Sequence, residues 1–291
     1  MTTKIIFIVA YLILAPFIGG LLDGIDRKIS ARMQGRKGPS VFQPFFDVAK
    51  LFNKEVLLVN KAQAFLVLSY LGFIMFTGAL LYSGADLLLC FFTLTTAALF
   101  LVLASCSTSS PFSSIGSQRE LLQMMAYEPM VILTAIGFYY ATGSFKASNI
   151  VAGNMSAIVY LPGIFVGFVF ILTIKMRKSP FDLSASHHPH QEIVKGITTE
   201  LSGGLLAITD IAEWYENVFL LSIVGMFLIN TSVVSIVAAV AVVIVVYFLE
   251  ILIDNTSARM RWDKVLKLAW SVTIIAGGIN LVVLQVLKSL I

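Results

Sequence analysis

The chain has 291 residues, of which 58% are hydrophobic and only 12% charged, and its formal net charge is +4. Soluble proteins are about half apolar and about a quarter charged, so this composition excludes an ordinary soluble protein and indicates a membrane protein. Each membrane-spanning helix needs about 20 apolar residues, so the length allows about eight spans in a single polytopic membrane domain over residues 1–291. Because no room is left for a soluble catalytic domain, we expect such machinery to come from partner proteins.

The first apolar segment covers residues 5–22 and is similar in character to a signal peptide. It lacks a small-residue cleavage site, and its charges, Asp26-Arg27-Lys28, follow the apolar run instead of preceding it. We therefore predict that this segment is retained as the first transmembrane helix.

An amphipathic stretch at residues 44–56 follows the first span. One predicted helix face carries Phe45, Ala49, Phe52 and Val56, and the other carries Asp47, Lys50 and Lys54. Such a pattern is typical of an interfacial helix that lies along the membrane surface. The alternative is a short helix docked on the bundle or on a partner.

Six further apolar segments are predicted spans, namely residues 62–82, 87–106, 121–140, 158–174, 233–253 and 265–287. The segment 200–229 is harder, because the apolar stretches on either side of Glu213-Trp214-Tyr215-Glu216 are each too short to cross alone. If it forms one long helix, all Lys and Arg except Lys4, Lys146 and Lys288 fall on one side of the membrane. Two helices would violate the positive-inside rule. The sequence thus predicts an all-α protein with eight spans, both termini outside and the basic loops cytoplasmic.

Several carboxylates lie inside or at the ends of the predicted spans. A charge in the middle of a bilayer costs about 2.5 to 3.5 kcal/mol on insertion scales, so such acids are candidates for function. In a dry setting a carboxyl group can exchange protons near neutral pH, and a series of them can form a proton relay. The candidates for this ion pathway are Glu120, Glu128, Glu200, Asp210, Glu213 and Glu216. The alternative for Glu120, Glu200 and Glu250 is that they pair with loop arginines and fix helix ends.

Three histidines, His187, His188 and His190, lie in the loop before Glu192. We predict that this loop handles protons or contacts a partner, because histidine titrates near neutrality and this spacing is weak for a metal site. A solvated loop that is rich in histidine is the alternative.

The two cysteines, Cys90 and Cys106, lie on one predicted span, roughly 24 Å apart, which excludes a disulfide between them. The chain has no Cys-x-x-Cys that could hold an iron-sulfur cluster or a nickel centre. We therefore expect no metal or cofactor in this chain itself.

The predicted cytoplasmic loops contain recognisable motifs. They are DRKISARMQGRKGPSVFQPFFDVAKLFNKE (26–55), QRELLQMMAYEP (118–129), KSPFDL (178–183), TELSG (199–203), AEWYEN (212–217) and ARMRWDKVLKLAW (258–270). This series resembles subunit 1 of respiratory complex I and its bacterial counterpart. It covers all four predicted cytoplasmic loops in the right order.

Two departures from complex I point to one branch of that family. The acidic stretch that follows Pro-Phe-Asp-Leu in complex I is replaced here by Ser-Ala-Ser-His-His-Pro-His-Gln-Glu at 184–192, and Glu-Tyr-Ser-Gly becomes Glu-Leu-Ser-Gly at 200–203. The histidine pattern is similar to that of the membrane anchor of Ech-type energy-converting NiFe hydrogenases. Both departures argue against quinone binding.

The resemblance implies an anchor for a peripheral arm in a prokaryotic plasma membrane. Iron-sulfur clusters and a NiFe centre are expected in partner subunits, with ferredoxin as electron donor through the complex, and antiporter-like membrane subunits beside the chain. The expected contacts include membrane lipid and exclude nucleic acid. By the resemblance, Glu128, Glu200, Glu213 and Glu216 form the inner start of the ion path. The docking surface is expected to comprise Arg27, Arg32, Arg36, Asp182, His187, His188, His190, Glu192, Arg259 and Arg261.

Three alternatives stay open from the sequence. The chain could be the quinone-site membrane subunit of NADH dehydrogenase, or the anchor of a formate-linked hydrogenase. A stand-alone secondary transporter is a third reading, although the two halves lack the internal repeats that such proteins tend to carry. Whether the translocated ion is a proton or sodium is also open.

Overall fold

The structure is a computed structural model, and it describes residues 2–153, 155–181, 196–258 and 260–290. Within these ranges the backbone is helical apart from loops and one isolated bridge between Asp86 and Lys146. The helices are α1 (Thr2–Met33), α2 (Gln43–Phe52), α3 (Lys61–Tyr82), α4 (Leu87–Cys106), α5 (Pro111–Thr142), α6 (Ala147–Val151), α7 (Pro162–Lys175), α8 (Gly204–Met226), α9 (Val233–Thr256), α10 (Trp262–Val272) and α11 (Ile279–Leu290). A π-helical turn, Thr273–Gly278, joins α10 to α11. The prediction of an all-α protein is confirmed for the described residues.

Among the described residues, six helical segments are long and apolar enough to cross a membrane, namely α1, α3, α4, α5, α9 and the continuous α10–α11 unit. The remaining two predicted spans correspond to α7, which has only 14 residues, and to α8, which carries Asp210, Glu213 and Glu216. The outer faces of the long helices are strongly apolar, as on α9, where Val233 and Val234 are exposed. Such a surface fits lipid. The total of eight spans and the outside position of both termini stay predictions.

Two helices extend beyond their predicted ends. α1 continues past residue 22 to Met33, and α5 begins at Pro111 instead of residue 121. Hydropathy detects only the apolar part of a helix, so the polar turns at the ends were missed. These polar turns hold Asp26, Arg27 and Glu120.

The segment that was hardest to assign forms one helix, α8, as predicted. It contacts α1, α2, α3, α7 and α9 and is thereby enclosed by the bundle. The predicted helical segment begins at Glu200, whereas α8 begins at Gly204, so Glu200 lies before the helix and does not open it. The Ser202 hydroxyl exchanges hydrogen bonds of 2.9 Å with the backbone of Leu57, and Gly203 has φ +52°, a conformation that favours glycine. These two features hold residues 196–203 outside the helix.

The predicted amphipathic helix exists as α2, but its bundle-facing side differs from the prediction. Pro44 and Val48 are buried, and Phe45 packs on Trp214 of α8 with ring centroids 5.2 Å apart. Ala49 and Phe52, assigned to the same apolar face, are exposed. The structure therefore supports a helix docked on the bundle whose outer side is also apolar. Its position relative to a membrane surface stays a prediction.

Candidate functional site

A cavity of about 510 Å³ opens at the end of the bundle where α1 ends and α8 begins. Its wall comes from the polar end of α1, from α2, from the residues that follow α7, and from α8 and α9. Ten of the twenty described residues that line it are Asp, Glu, Lys or Arg. The residues important here are Asp26, Arg27, Lys178, Asp210, Glu213 and Tyr247.

One side of the cavity is held by Arg27. Its Nη2 atom lies 2.9 Å from Asp23 Oδ2 on α1, and its Nη1 atom lies 2.7 Å from Asp47 Oδ2 on α2. Gln43 donates a 3.0 Å hydrogen bond to the other oxygen of Asp47. The guanidinium thus ties α2 to α1. Because the side chain is 40% exposed, solvent weakens these ion pairs.

The opposite side holds the buried ammonium of Lys178. It contacts Asp26 of α1 and lies 3.7 Å from Asp254 of α9. Asp254 also accepts a 2.8 Å hydrogen bond from the backbone nitrogen of Ser179. Burial acts to lower the pKa of Lys178, but Asp26 and then Asp254 outweigh it and raise the pKa above its usual value. Lys178 therefore stays charged and links three parts of the bundle.

Arg177, which precedes Lys178 in the chain, has an unusual backbone conformation, with φ +52°. Its guanidinium is buried, 2.6 Å from Glu213 of α8 and 3.7 Å from Glu120 of α5. Burial would lower the pKa of Arg177, but Glu120 and then Glu213 raise it. A non-glycine residue with positive φ costs of order 1 to 3 kcal/mol and is concentrated at functional sites. The two ion pairs offset this cost.

Deeper in the bundle, Lys175 pairs with Glu216. Its Nζ atom lies 2.9 Å from Glu216 Oε1 and 4.4 Å from the centre of the Tyr127 ring, within the range of a cation–π interaction. The Tyr70 hydroxyl lies 3.4 Å from the other carboxylate oxygen of Glu216. The Lys175–Glu216 pair lies beside the Arg177–Glu213 pair, because one void touches all four of these residues.

Two small voids continue the polar route from the cavity. One is lined by Lys175, Arg177, Glu213 and Glu216. The other shares Lys175, Arg177 and Glu216 with it and adds Tyr70, Glu120 and Tyr127. Each has a volume of about 10 Å³, which is at the lower limit for one water molecule. The described residues thus form a polar path from the cavity into the bundle between α3, α5, α7 and α8.

A family model described as NADH dehydrogenase matches residues 4–285, almost the whole chain. The chain belongs to the NADH dehydrogenase family. This membership confirms the resemblance that the loop motifs carry. A relative from Mytilus edulis, named NADH-ubiquinone oxidoreductase chain 1, is 27% identical, over 88% of this chain and 90% of the relative.

Curated relatives of this NADH dehydrogenase family chain include hydrogenase proteins. Hydrogenase-4 component C of Escherichia coli (strain K12) is 27% identical, over 91% of this chain and 91% of the relative. Formate hydrogenlyase subunit 4 of E. coli is 26% identical, over 87% and 90% respectively. These names denote parts of multisubunit oxidoreductases.

A solved structure shares the fold. A chain of the membrane-bound sulfane sulfur reductase, an archaeal respiratory membrane complex, matches with a TM-score of 0.85. The match covers 97% of this chain and 99% of that chain, at 23% identity. The likeness therefore shows that this family member has the helical arrangement of a respiratory-complex subunit.

The six acids predicted for the ion pathway separate into two groups. Glu120, Glu213 and Glu216 come together around Arg177 and Lys175, and Asp210 lines the cavity. The pairing of Glu120 with Arg177 agrees with the alternative in which it binds a loop arginine.

Glu128 and Glu200 lie apart from this cluster. Glu128 is half-buried on α5, and its Oε1 atom has no hydrogen-bond partner among the described residues. Glu200 lies before α8, where its backbone oxygen accepts a 3.2 Å hydrogen bond from Gln63. Neither lines the cavity or the two voids. The sequence did not reveal this division, because an acid's neighbours depend on how the helices pack.

The predicted docking residues are only partly described. Arg27 and Arg36 line the cavity, Arg32 is exposed at the end of α1, and Arg261 is exposed and pairs with Asp263 at 3.1 Å. The residues Asp182, His187, His188, His190, Glu192 and Arg259 lie outside the described residues. Within the described ranges no group of three His, Cys, Asp or Glu side chains is arranged to hold a metal ion.

The cations and hydroxyl groups that partner the acids were not predicted from the sequence. Lys175, Arg177 and Lys178 were counted as loop charges, whereas each is buried in an ion pair. Tyr70 and Tyr127 were treated as parts of apolar spans. The run Lys-Met-Arg-Lys at 175–178, directly after a predicted span, could have indicated these buried ion pairs. An acid that is buried as an anion is stabilised only by a cation at the same depth.

Proposed function

We propose that the chain is the membrane anchor and ion-coupling subunit of an energy-converting NiFe hydrogenase of the Ech type, with ferredoxin as electron donor. The partner arm carries the iron-sulfur clusters and the NiFe centre, while this chain binds that arm and moves charge through the bundle. The similarity to Hydrogenase-4 component C and to formate hydrogenlyase subunit 4 supports this branch. The histidine pattern at 187–192 supports it as well.

The observation that carries the proposal is the polar path from the cavity through Arg177 to Glu216. Arginine does not release its proton in proteins, so Arg177 acts as a fixed positive charge and the carboxyls carry the protons. If Glu213 takes up a proton at the cavity, Arg177 turns wholly to Glu120, and the charge balance of the next pair changes. A redox event in the docked arm would in this way drive a proton inward.

The energetics allow such coupling. Moving one charge against 100 mV costs about 2.3 kcal/mol. A two-electron reaction releases about 1.4 kcal/mol for every 30 mV of driving force. A drop of some tens of millivolts can therefore move about one ion per electron pair, and one path of this kind is sufficient. The antiporter-like subunits are proposed to use the same charge movement to transport protons or sodium.

We place the docked arm over the cavity mouth. Arg32, Arg36 and Arg261 are exposed there or on the neighbouring loops, and their guanidinium groups are accessible to acidic groups of a partner. The loop residues Asp182, His187, His188, His190, Glu192 and Arg259 complete the proposed surface. The basic side is proposed to be cytoplasmic in a prokaryotic plasma membrane, where reduced ferredoxin is available.

Quinone reduction is the second candidate, supported by a relative from Brevibacillus brevis that is named as part of an NADH-quinone oxidoreductase. The cavity volume is within the range of about 300 to 1,000 Å³ that small-molecule sites have. Such sites are usually lined by apolar and aromatic side chains, whereas half of the described lining here is charged. This lining favours a proton-handling chamber over a quinone site.

Metal analysis of the purified complex is the decisive experiment. Nickel together with iron, and hydrogen evolution from reduced ferredoxin that is lost from membranes lacking this chain, would support the proposal. Bound quinone without nickel would replace it with the second candidate. Turnover of formate or of sulfane sulfur without ferredoxin-linked hydrogen evolution would assign the same anchor to another kind of arm.

A further inference from the structure

Glu250 is a fully buried acid that the polar path described above does not use. It lies on α9, its side chain is 0% exposed, and α9 is otherwise one of the most apolar helices of the chain. Both carboxyl oxygens are buried and neither has a hydrogen-bond partner among the described residues. A buried group of this kind needs a physical explanation, because nearly all buried polar atoms are hydrogen-bonded.

The surroundings of Glu250 do not favour a carboxylate anion. The groups that act on it are the Thr173 hydroxyl on α7, the Lys178 ammonium and the Asp254 carboxylate one turn further along α9. Lys178 already pairs with Asp26 and with Asp254. A charged Glu250 would place a third carboxylate near one ammonium in a site shielded from solvent, where like charges repel strongly.

The acids of the polar path are in the opposite situation. Glu213 and Glu120 each pair with Arg177, and Glu216 pairs with Lys175. A cation at this distance favours the carboxylate form of its partner. Glu250 differs from them because the described residues offer it no ion pair, and the neutral acid is the form that such a site accommodates.

Its position connects Glu250 to the cavity. Residues four apart on a helix are neighbours, so Glu250 and Asp254 lie on the same side of α9. Tyr247, three residues earlier, lines the cavity, as do Lys178 and Asp26. A proton on Glu250 is therefore one helical turn from the Asp254 carboxylate. Asp254 shares the Lys178 ammonium with Asp26, which lines the cavity.

We propose that Glu250 and Asp254 share one proton, which rests on Glu250 and passes to Asp254 when the redox partner turns over. In this step the O–H bond of Glu250 breaks and an O–H bond forms on Asp254. The Lys178 ammonium keeps its proton and moves its contact from the Asp254 carboxylate to the new Glu250 carboxylate. The net charge of the group does not change, and such a pair titrates as a unit. The proposal rests on the proposed ion-coupling function and adds a second proton store, on the α9 side of the cavity.

Infrared difference spectroscopy of the intact complex tests this proposal. Spectra of the oxidised and reduced complex are compared in ordinary and in heavy water, for the wild type and for Glu250→Gln. We expect the wild type to show a carboxylic-acid carbonyl band that shifts in heavy water and is lost in Glu250→Gln. The matched control is Asp263→Asn, which removes a carboxylate from an exposed ion pair and should keep the band. A wild type without such a band, or a band unchanged in Glu250→Gln, would overturn the proposal.

Ion translocation by the same variants separates a proton-carrying role from a structural one. Glutamine keeps the shape and neutrality of the protonated acid but has no proton to give to Asp254, so Glu250→Gln should assemble and should release fewer protons per electron pair than the wild type. Glu250→Leu serves as a second variant that fills the apolar site. Normal proton release in both variants would refute the role of Glu250. The infrared band can be scored even if the complex evolves no hydrogen, so a failure of the proposed hydrogenase function is distinguishable from a failure here.

Discussion

The Nη1 atom of Arg177 lies 2.6 Å from Oε1 of Glu213, and the arginine reaches this position from a backbone with φ +52°. The same guanidinium lies 3.7 Å from Glu120, so one cation joins α8 to α5 next to the cavity. Two carboxylates around one permanent cation are easily rearranged when either of them takes up a proton. This arrangement gives the cavity a means to influence charges deeper in the bundle.

Replacing Glu213 with glutamine should uncouple or stop turnover while the complex still assembles. Glutamine preserves the side-chain length but cannot carry the proton, and Arg177 keeps Glu120 as its partner. The measurement is proton release and hydrogen evolution by the purified complex. Glu55→Gln is the matched control, because Glu55 is an exposed acid at the bundle end and should behave as wild type. Unchanged coupling in Glu213→Gln would remove this residue from the mechanism.

Replacing Arg177 with methionine should be more damaging to stability than the change at Glu213. It leaves Glu120 and Glu213 without their cation, and breaking a buried pair from one side costs about 3 to 5 kcal/mol. We expect a lower Tm of the complex and a smaller assembled fraction. Adding Glu120→Gln and Glu213→Gln to Arg177→Met should recover part of the loss, because the uncompensated charges are then gone. Equal stability of the single and triple variants would contradict the ion pairs.

Much of the fold was predictable from the sequence, but the ion pairs between the acids and their cations were not. Hydropathy and the positive-inside rule located the spans and resolved 200–229 as one helix. The positive-inside rule did not predict that Lys175 and Arg177 are buried, because it counts cations per loop and does not consider the depth at which they lie. Their partners come from α5 and α8, far away in sequence. Glu200 was misplaced for a similar reason, since a hydrogen bond between distant segments, from Ser202 to Leu57, holds the residues before Gly204 outside the helix.

Removing the charge of Lys178 should destabilise the complex over a defined pH range. The pKa of Lys178 is raised in the folded chain, because Asp26 and Asp254 outweigh the opposite effect of burial. A raised pKa means that the stabilisation is fully present below the usual lysine value, about 10.4, and is lost as the pH rises through the folded-state value. The Tm difference between wild type and Lys178→Met should thus be constant from neutral pH up to the usual lysine value, and should decrease only above it.

Two variants control the interpretation of that pH dependence. Lys178→Arg keeps the charge and should keep most of the Tm, whereas Lys37→Met removes a cation from an exposed position in the cavity wall and should change the Tm little. A Tm difference for Lys178→Met that disappears at neutral pH would show that Asp26 and Asp254 do not depend on this ammonium.

Gly78 on α3 should tolerate no side chain, because the ring of Tyr11 lies directly against its Cα. A Cβ atom there would overlap the Cζ and Cε1 atoms and the hydroxyl oxygen of Tyr11. Tyr11 is 4% exposed, stacks on Tyr82 with centroids 4.8 Å apart and donates a 3.3 Å hydrogen bond to the backbone oxygen of Tyr215, so the ring cannot move freely. Overpacking of this kind costs about 1 to 3 kcal/mol.

The same helix offers a matched control for Gly78. Gly72 is exposed, and a Cβ atom built on it meets nothing within 4 Å. Gly72→Ala should therefore leave the complex unchanged or raise its stability slightly, by up to about 1 kcal/mol from helix propensity. Gly78→Ala should lower the Tm and the assembled fraction, since it separates α1 from α3 and loosens the contact of α1 with α8. Identical Tm values for the two variants would show that α1 is not packed on α3 through Tyr11.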